Sequence, residues 1–287
     1  MDGTVLGVDV GGTDIKAVRM LPDGTVERLA GVPTPRGDAA GVATAEAVAD
    51  LVRRAGPVDA VGVAVPGIVD EDAGVCAVSV NLGWRDLDVR ALVADRVGAP
   101  VALAQDVRAG ARAEWRSGAG AGLDGGLLFA PLGTGLAVAC LEADGRPIGT
   151  RWAGEVGQLR WSSGPHAGLR VEEVVSAGGL AVRAGAPNAL AVADAVRAGD
   201  PGALALWRET ADALAEVLAW GVAFASPGVI VVGGGLAQAG DLLLDPVRAA
   251  LAAHLPWFPP VPVLPAVHGT AAAAIGAADL AGALLRS

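Results

Sequence analysis

The stretch LGVDVGGTDIKAV, residues 6–18, places an apolar strand pattern on each side of a glycine turn. The first apolar run contains Asp9 near its end, and Gly11 and Gly12 leave the backbone N–H groups of the turn uncovered by side chains. A second strand pattern returns over 15–18. We therefore predict a β-hairpin whose turn can face a phosphate, with the aspartate available to a divalent cation.

The composition limits the classes of protein to which the chain can belong. The chain has 287 residues, of which 53% are hydrophobic, which is enough for a sizeable core in one large domain or two ordinary ones. Its formal net charge of −10 argues against general nucleic-acid binding. The two cysteines, Cys76 and Cys140, lack metal-ligand spacing. We expect reduced thiols and a cytoplasmic location, since the N-terminus has no signal-peptide pattern.

A membrane location is also not expected. The longest uncharged stretch, 217–239, is interrupted by Ser226-Pro227-Gly228 and by three consecutive glycines. Such breakers indicate the end of a helix followed by a buried strand, so no membrane partner is predicted.

The opening pattern recurs in the second half of the chain. Each version consists of a strand, a Gly-Thr turn, a returning strand, an Asp-Gly turn and a third short strand, over 5–30 and over 126–148. Glycine turns are common between the strands of any α/β protein, but a matched pair is more specific. Two similar α/β halves indicate two domains that face each other across a cleft.

Short apolar strands alternate with amphipathic helices in the first half, and the chain after residue 170 is mostly helical. The predicted strands are 5–10, 15–20, 25–30, 60–65, 101–104, 126–130, 136–142, 146–148, 229–232 and, as an edge strand or extended loop, 261–264. The predicted helices are 39–54, 87–97, 108–117, 171–184, 189–197, 203–225, 242–255 and 271–285.

Seven motifs, in this order and spacing, resemble those of the ROK sugar kinases, a family of repressors, open reading frames and kinases. They are DVGGT (9–13), VGVAVPGIVD (61–70), NLGW (81–84), AQDVRAGARAEW (104–115), PLGTGLA (131–137), AGEVGQ (153–158) and VVGGGLA (231–237). The resemblance covers most of the chain. It implies a two-domain α/β fold of the actin-like ATPase (ribonuclease H-like) type with an interdomain cleft. The smaller domain would be 1–110 with the C-terminal helix 271–287, and the larger would be 111–270.

The resemblance further implies transfer of a phosphoryl group from ATP to a glucose-like hexose, at its 6-hydroxyl. Asp106 matches the catalytic aspartate of the family, which serves as general base. Its position between a strand and a helix is equally that of an N-cap. Sugar contacts are implied, besides Asp106, for Asn81, Glu155, Gln158 and Glu172.

The two Gly-Thr turns are assigned by the resemblance to the ATP phosphates, and a third glycine segment borders the adenosine. Asp9 is expected near Mg²⁺ through water. The assigned residues are Gly11, Gly12, Thr13, Gly133, Thr134, Gly135, Gly233, Gly234 and Gly235.

The sequence departs from the family pattern at its zinc site. Most ROK kinases hold zinc with one histidine and three cysteines. Gln158 stands at the histidine position, and Ser163, Pro165 and Arg170 stand at the cysteine positions. These are not good zinc ligands, so we predict no structural zinc.

Several alternatives stay open at this stage. The chain could be a non-catalytic, sugar-sensing regulator, although it enters its first strand without the DNA-binding domain of family repressors. It could phosphorylate an amino or N-acetylated sugar, because Gln158 alters one sugar contact. It could use another phosphoryl donor such as polyphosphate. A homodimer is expected by resemblance only.

Overall fold

The computed structural model describes residues 3–286, which divide into two compact units. Unit 1 consists of the described residues up to Ala113, the segment Gly149–Trp152 and the chain from Thr270 onward. Unit 2 consists of Glu114–Ile148 and Ala153–Gly269. Among the helices of the described part of the chain, none combines the length and apolar character that a membrane span requires.

The strands and helices follow each other along both units. The strands are β1 (Val5–Val10), β2 (Asp14–Met20), β3 (Val26–Pro33), β4 (Ala60–Val65), β5 (Ile68–Asp70), β6 (Val75–Ser79), β7 (Trp84–Asp88), β8 (Val101–Gln105), β9 (Leu127–Pro131), β10 (Ala139–Leu141), β11 (Val229–Gly233) and β12 (Val263–Pro265). The helices are α1 (Val42–Ala55), α2 (Val89–Val97), α3 (Asp106–Ser117), α4 (Val171–Val175), α5 (Ala177–Arg183), α6 (Ala189–Arg197), α7 (Pro201–Ala225), α8 (Gly234–Ala237), α9 (Asp241–His254) and α10 (Ala272–Leu284).

Unit 1 is built on a five-stranded sheet in the order β3-β2-β1-β4-β8. β1, β2 and β3 pair antiparallel as two hairpins, whereas β4 and β8 continue the sheet parallel to β1. Leu6, Val8 and Val10 face the core with α1 and α2, and Val5 faces the core with α10. Both faces of β1 are therefore covered, which explains why its sequence is almost continuously apolar.

Glycines allow α10 to approach the sheet and α3 closely. A Cβ atom at Gly62 of β4 would lie 1.8 Å from the carbonyl oxygen of Ala277. A Cβ atom at Gly276 of α10 would lie 1.7 Å from the carbonyl oxygen of Ala109 in α3. Real Cβ atoms do not come this close, so the layer depends on backbones packing directly on one another.

Unit 2 contains a four-stranded sheet in the order β10-β9-β11-β12, in which β9, β11 and β12 are parallel. The long helix α7 packs on α9 and contributes Trp207, Leu214 and Leu218 to the core. Asp200 caps α7 by accepting from the N–H of Ala203, and Pro201 occupies the first turn, where its missing N–H has no cost.

Three predictions of secondary structure are wrong. The segment 146–148 is not a strand, because only an isolated bridge joins Leu141 to Pro147. The predicted helix 171–184 is two helices separated by Ser176, whose backbone is extended. The start of the predicted helix 87–97 is the end of β7, part of a three-stranded sheet β5-β6-β7 that the sequence analysis did not predict.

Candidate active site

The carboxyl ends of three parallel strands place several candidate residues at one edge of the unit 1 sheet. The glycine turn 11–13 follows β1, and Asp106 follows β8. The strand register aligns Asp9 with Ala64 and Ala64 with Ala104. At the usual spacing of neighbouring strands, the Cα atoms of Asp9 and Ala104 are about 10 Å apart. Ligands of open α/β sheets bind at this kind of edge.

The turn after β1 is fixed by a threonine that the sequence analysis missed. Thr34 follows β3 and is buried. Its hydroxyl donates to the carbonyl oxygen of Gly11 at 2.6 Å, and its N–H donates to the carbonyl oxygen of Thr13 at 2.8 Å. The turn is thus held from the next hairpin. No sequence motif indicates Thr34, because its partners lie more than twenty residues earlier.

Asn81 lies beside this turn. A Cβ atom at Gly12 would be 3.5 Å from the Cβ atom of Asn81. The Asn81 side chain belongs to an exposed residue between β6 and β7. Trp84, at the start of β7, is buried and donates its indole N–H to the carbonyl oxygen of Asp38 at 2.8 Å. The loop that presents Asn81 is therefore anchored at one end in the core.

Asp106 is the first residue of α3 and is partly exposed. Its Oδ1 accepts from the N–H of Val107 at 2.8 Å. A carboxylate at the start of a helix interacts favourably with the helix dipole. Asp106 can thus begin the helix and also serve as a functional carboxylate.

An ion pair between the buried Arg108 and the partly buried Glu71 supports the junction that carries Asp106. Glu71 Oε1 accepts from the N–H of Gln105 at 3.0 Å and from Nε of Arg108 at 2.6 Å. The N–H of Arg108 donates to Oε1 of Gln105 at 2.8 Å, and Arg108 is only 4% exposed. The residues on both sides of Asp106 are therefore fixed by one carboxylate.

This ion pair was not predicted from the sequence. Glu71 and Arg108 are 37 residues apart, so their contact depends on the sheet topology. The available indication was a charged Arg108 in a helix whose neighbours Ala109, Ala111 and Ala113 are small and buried. A buried arginine of this kind requires a buried partner.

Asp9 has an altered acidity. Burial raises the pKa of its carboxyl from 3.8 to about 6, and the positive charge of Lys16 lowers that pKa in part. The two residues are directly paired between β1 and β2, so their side chains share one face of the sheet. Lys16, the only lysine of the chain, is itself exposed.

We expect Asp9→Asn to stabilise the fold, and to do so more at pH 8 than at pH 5. The pKa of Asp9 in the folded chain, about 6, lies above the ordinary value of 3.8. Folding therefore favours the protonated form of Asp9. The contribution of this form to the free energy of unfolding is complete below the ordinary pKa of 3.8 and is lost as pH rises through about 6. Urea unfolding at the two pH values should give a difference in stabilisation of about 1 kcal/mol.

Asp14→Asn is the matched control, because Asp14 belongs to the same hairpin and is exposed. We expect a small effect of this control at both pH values. If Asp9→Asn changed the free energy of unfolding equally at pH 5 and pH 8, that result would contradict the raised pKa of Asp9.

In unit 2, two glycine segments adjoin each other at the carboxyl edge of the sheet. The N–H of Leu132, which precedes the turn 133–135, donates to the carbonyl oxygen of Gly233 at 2.9 Å. A Cβ atom at Gly234 would lie 2.5 Å from the carbonyl oxygen of Leu132, and the φ of Gly234 is +80°. Gly234 and Gly235 form the first turn of the short helix α8.

The Gly-Thr turn of unit 2 packs against the start of α4 and α5. A Cβ atom at Gly135 would lie 2.7 Å from Oε2 of Glu172. The hydroxyl of Ser176 donates to the carbonyl oxygen of Thr134 at 2.9 Å. The structure therefore places a predicted sugar ligand directly beside a predicted phosphate turn, within one unit.

Arg170 joins two of the predicted sugar ligands. Its Nη1 is 2.7 Å from Oε1 of Glu172 and donates to Oε1 of Gln158 at 3.2 Å. Its backbone N–H donates to Glu173 at 2.6 Å, and this hydrogen bond lowers the pKa of Glu173. Glu155 immediately precedes the 3₁₀ turn Val156–Gln158 and so lies on the same segment.

The residues at the family's zinc positions do not fit a zinc ion. Within residues 3–286, no three His, Cys, Asp or Glu side chains come together in a group that could hold a metal. An amide and a guanidinium, from Gln158 and Arg170, bind each other where zinc ligands would stand. Trp161 in the same loop is buried against Trp220 and His166, whereas Trp152 is exposed.

The chain is similar to known proteins along nearly its whole length. A sequence profile described as "ROK family" matches residues 5–283. The chain belongs to the ROK family. This ROK chain is 29% identical to the glucokinase of Streptomyces coelicolor, over 97% of its own length and 98% of the relative's. It is 35% identical to the bifunctional enzyme NanE/NanK of Brucella melitensis over 64% of its length, which is 36% of that enzyme.

Solved structures confirm the predicted fold class of the ROK chain. A ROK family glucokinase from Streptomyces griseus, in complex with glucose and AMPPNP, superposes with a TM-score of 0.83 at 30% identity. The match covers 98% of this chain and 100% of that one. The ROK chain thus has the actin-like ATPase fold of its structural relatives.

Proposed function

We propose that this ROK protein is a sugar kinase that transfers the γ-phosphoryl group of ATP to the 6-hydroxyl of a glucose-like hexose. The observation that carries the proposal is the common sheet edge of unit 1, where Asp106, Asp9 and the turn 11–13 lie at the ends of parallel strands. The Streptomyces griseus relative, which was crystallised with glucose and AMPPNP, supports both the acceptor and the donor.

Asp106 would act as the general base for the sugar hydroxyl. Phosphoryl transfer needs little covalent work from a protein, but it needs an aligned acceptor and a group that takes the hydroxyl proton. A partly exposed carboxylate can receive that proton, and the Glu71–Arg108 pair keeps its backbone in place. Asn81, Glu155, Gln158 and Glu172 would hold the other hydroxyls of the sugar.

The Gly-Thr turns would bind the phosphates of ATP through backbone N–H groups. Asp9 would hold Mg²⁺ through water, and an oxygen ligand of this type suits that cation. When bound, Mg²⁺ neutralises charge on the phosphates. A nearby dication would also favour the ionised form of Asp9, in spite of the raised pKa of its carboxyl. The segment 233–235 would border the adenosine.

A coupled assay of ADP release, run over a panel of sugars, tests the proposal. We expect turnover with glucose in the presence of ATP and Mg²⁺, and a product whose phosphate is shown by NMR to be on the 6-oxygen. 6-Deoxyglucose is the matched control, because it differs from glucose only in the hydroxyl that accepts the phosphate. Failure of every sugar in the panel to release ADP would contradict the proposal and favour a sugar-sensing regulator.

A second candidate acceptor is an N-acetylated hexosamine. The similarity to the N-acetylmannosamine kinase of Pasteurella multocida, 32% identical over 39% of this chain and 37% of that enzyme, supports this choice. Gln158 supports it as well, since its amide can donate a hydrogen bond to a carbonyl oxygen. The same panel should therefore contain N-acetylmannosamine and N-acetylglucosamine.

A further inference from the structure

We propose that Arg170 is a specificity-determining residue that selects neutral sugars over amino sugars. It occupies the carbonyl oxygen of Gln158, so that the amide NH₂ donor is the part of Gln158 that remains for the sugar. This inference rests on the proposed function, because it concerns the sugar site of that function. It assigns to Arg170 a positioning role through Gln158 and Glu172.

Arg170 fixes the orientation of the Gln158 amide. A guanidinium has only donors, so the atom of Gln158 that faces Arg170 at 3.2 Å must be the carbonyl oxygen. The amide NH₂ of Gln158 then lies on the other side of the group. Since Gln158 is exposed, its NH₂ is available to a ligand. An NH₂ donor pairs with a hydroxyl or an acetyl carbonyl oxygen, and it cannot pair with an ammonium group.

Two carboxylates, those of Glu172 and Glu173, lie beside the Arg170 guanidinium. The Glu172 side chain is 16% exposed, and its Oε1 is 2.7 Å from Nη1 of Arg170. Glu173 accepts from the Arg170 backbone and lies 3.5 Å from its Nε. Arg170 thus offsets a pair of carboxylates that would otherwise attract a cation. A protonated amino sugar would meet the guanidinium instead of a free negative charge.

The loop that carries Arg170 is held by backbone hydrogen bonds. The segments around residues 160 and 170 pair through an isolated antiparallel bridge. The N–H of Val171 donates to the carbonyl oxygen of Leu159 at 2.8 Å, and that of Trp161 donates to Leu169 at 3.0 Å. Arg160, across the bridge, donates its guanidinium to the carbonyl oxygen of Gly168. Arg160 is therefore an arginine of the same loop whose hydrogen-bond partner differs from that of Arg170.

The test compares Arg170→Met with the matched control Arg160→Met. Both changes keep an unbranched apolar stem and remove one positive charge. For each variant, kcat and KM would be measured with glucose, N-acetylglucosamine and glucosamine, at a pH where glucosamine is protonated. We expect Arg170→Met to raise the KM for glucose about tenfold, the usual effect of losing a charge-assisted hydrogen-bond network. In the same variant, the ratio of kcat/KM for glucosamine to kcat/KM for glucose should rise about tenfold or more. Arg160→Met should change the KM for glucose and this ratio by no more than about twofold.

A purely structural role of Arg170 would lower kcat/KM for all three sugars equally, and that result would overturn the inference. If Arg170→Met does not fold, Gln158→Glu tests the same point without touching the arginine. Glutamate replaces the donating amide by acceptors only, so this variant should also shift the ratio toward glucosamine. An unchanged ratio in the soluble variants would contradict the inference.

Sugar binding in the absence of nucleotide separates this inference from the proposed function. The sugar-dependent shift in melting temperature of the wild-type chain would be measured with the same three sugars. Binding without turnover would contradict the proposed kinase activity alone, and the binding ratios of the variants would still test Arg170. A wild-type chain that binds none of the three sugars would overturn the inference about Arg170.

Discussion

Asp106→Asn is expected to lower kcat for hexose phosphorylation by about 10²- to 10⁴-fold, the range over which a general base contributes. Asparagine has the same shape and keeps an oxygen that can accept from the N–H of Val107, so the start of α3 should be preserved. What it lacks is the capacity to take a proton. The KM values for sugar and ATP should change much less than kcat, because the change removes a transition-state interaction.

The assay for this variant is steady-state ADP release with saturating ATP. Asp95→Asn is the control, since Asp95 is an exposed carboxylate on α2 of the same unit. The far-UV circular dichroism and the melting temperature of both variants should match those of the wild type. A kcat close to the wild-type value in Asp106→Asn would exclude Asp106 as the base.

Gly276→Ala is expected to destabilise unit 1 by about 3 kcal/mol or more, at the upper end of what overpacking of a core causes. The new Cβ atom would lie 1.7 Å from the carbonyl oxygen of Ala109. That oxygen belongs to the backbone of α3, so relief requires a whole helix to move rather than a side chain to turn. Because α10 also packs on β1 and β4, its displacement would open the core of the unit.

Urea unfolding measures this effect, and Gly235→Ala is the control. A Cβ atom at Gly235 would meet nothing within 4 Å, and the residue lies in α8. We expect a change within about 1 kcal/mol for this control. A Gly276→Ala variant that is as stable as the control would show that α10 packs less closely on α3 than described.

The apolar strands and the family motifs were the parts of this molecule that could be predicted from the sequence. β1 and β4 are covered on both faces, so their apolar runs identify them without further information. β7 was missed because its sequence, WRDLD, is mostly polar and only Trp84 is buried. The break at Ser176 was missed because it depends on a distant partner, the carbonyl oxygen of Thr134.

The candidate site was predictable to the same extent. Asp9, Asp106 and the glycine turns stand in recognisable motifs, and the parallel strand order explains why three of these features share one edge. Their roles remain predictions. Thr34 and Glu71 carry no local pattern, since each acts on a segment that is remote in sequence. Such supporting residues are defined by tertiary structure alone.

The contact between Glu172 and Gly135 has a consequence for recombining this chain with its relatives. A crossover placed between the two residues would set a foreign carboxylate against a native turn, where a Cβ atom would lie 2.7 Å from Oε2 of Glu172. The hydroxyl of Ser176 adds a second dependence on the same turn. Segments from β9 to the end of α5 should therefore be exchanged as one block, so that Glu172 and Ser176 keep the turn on which they pack.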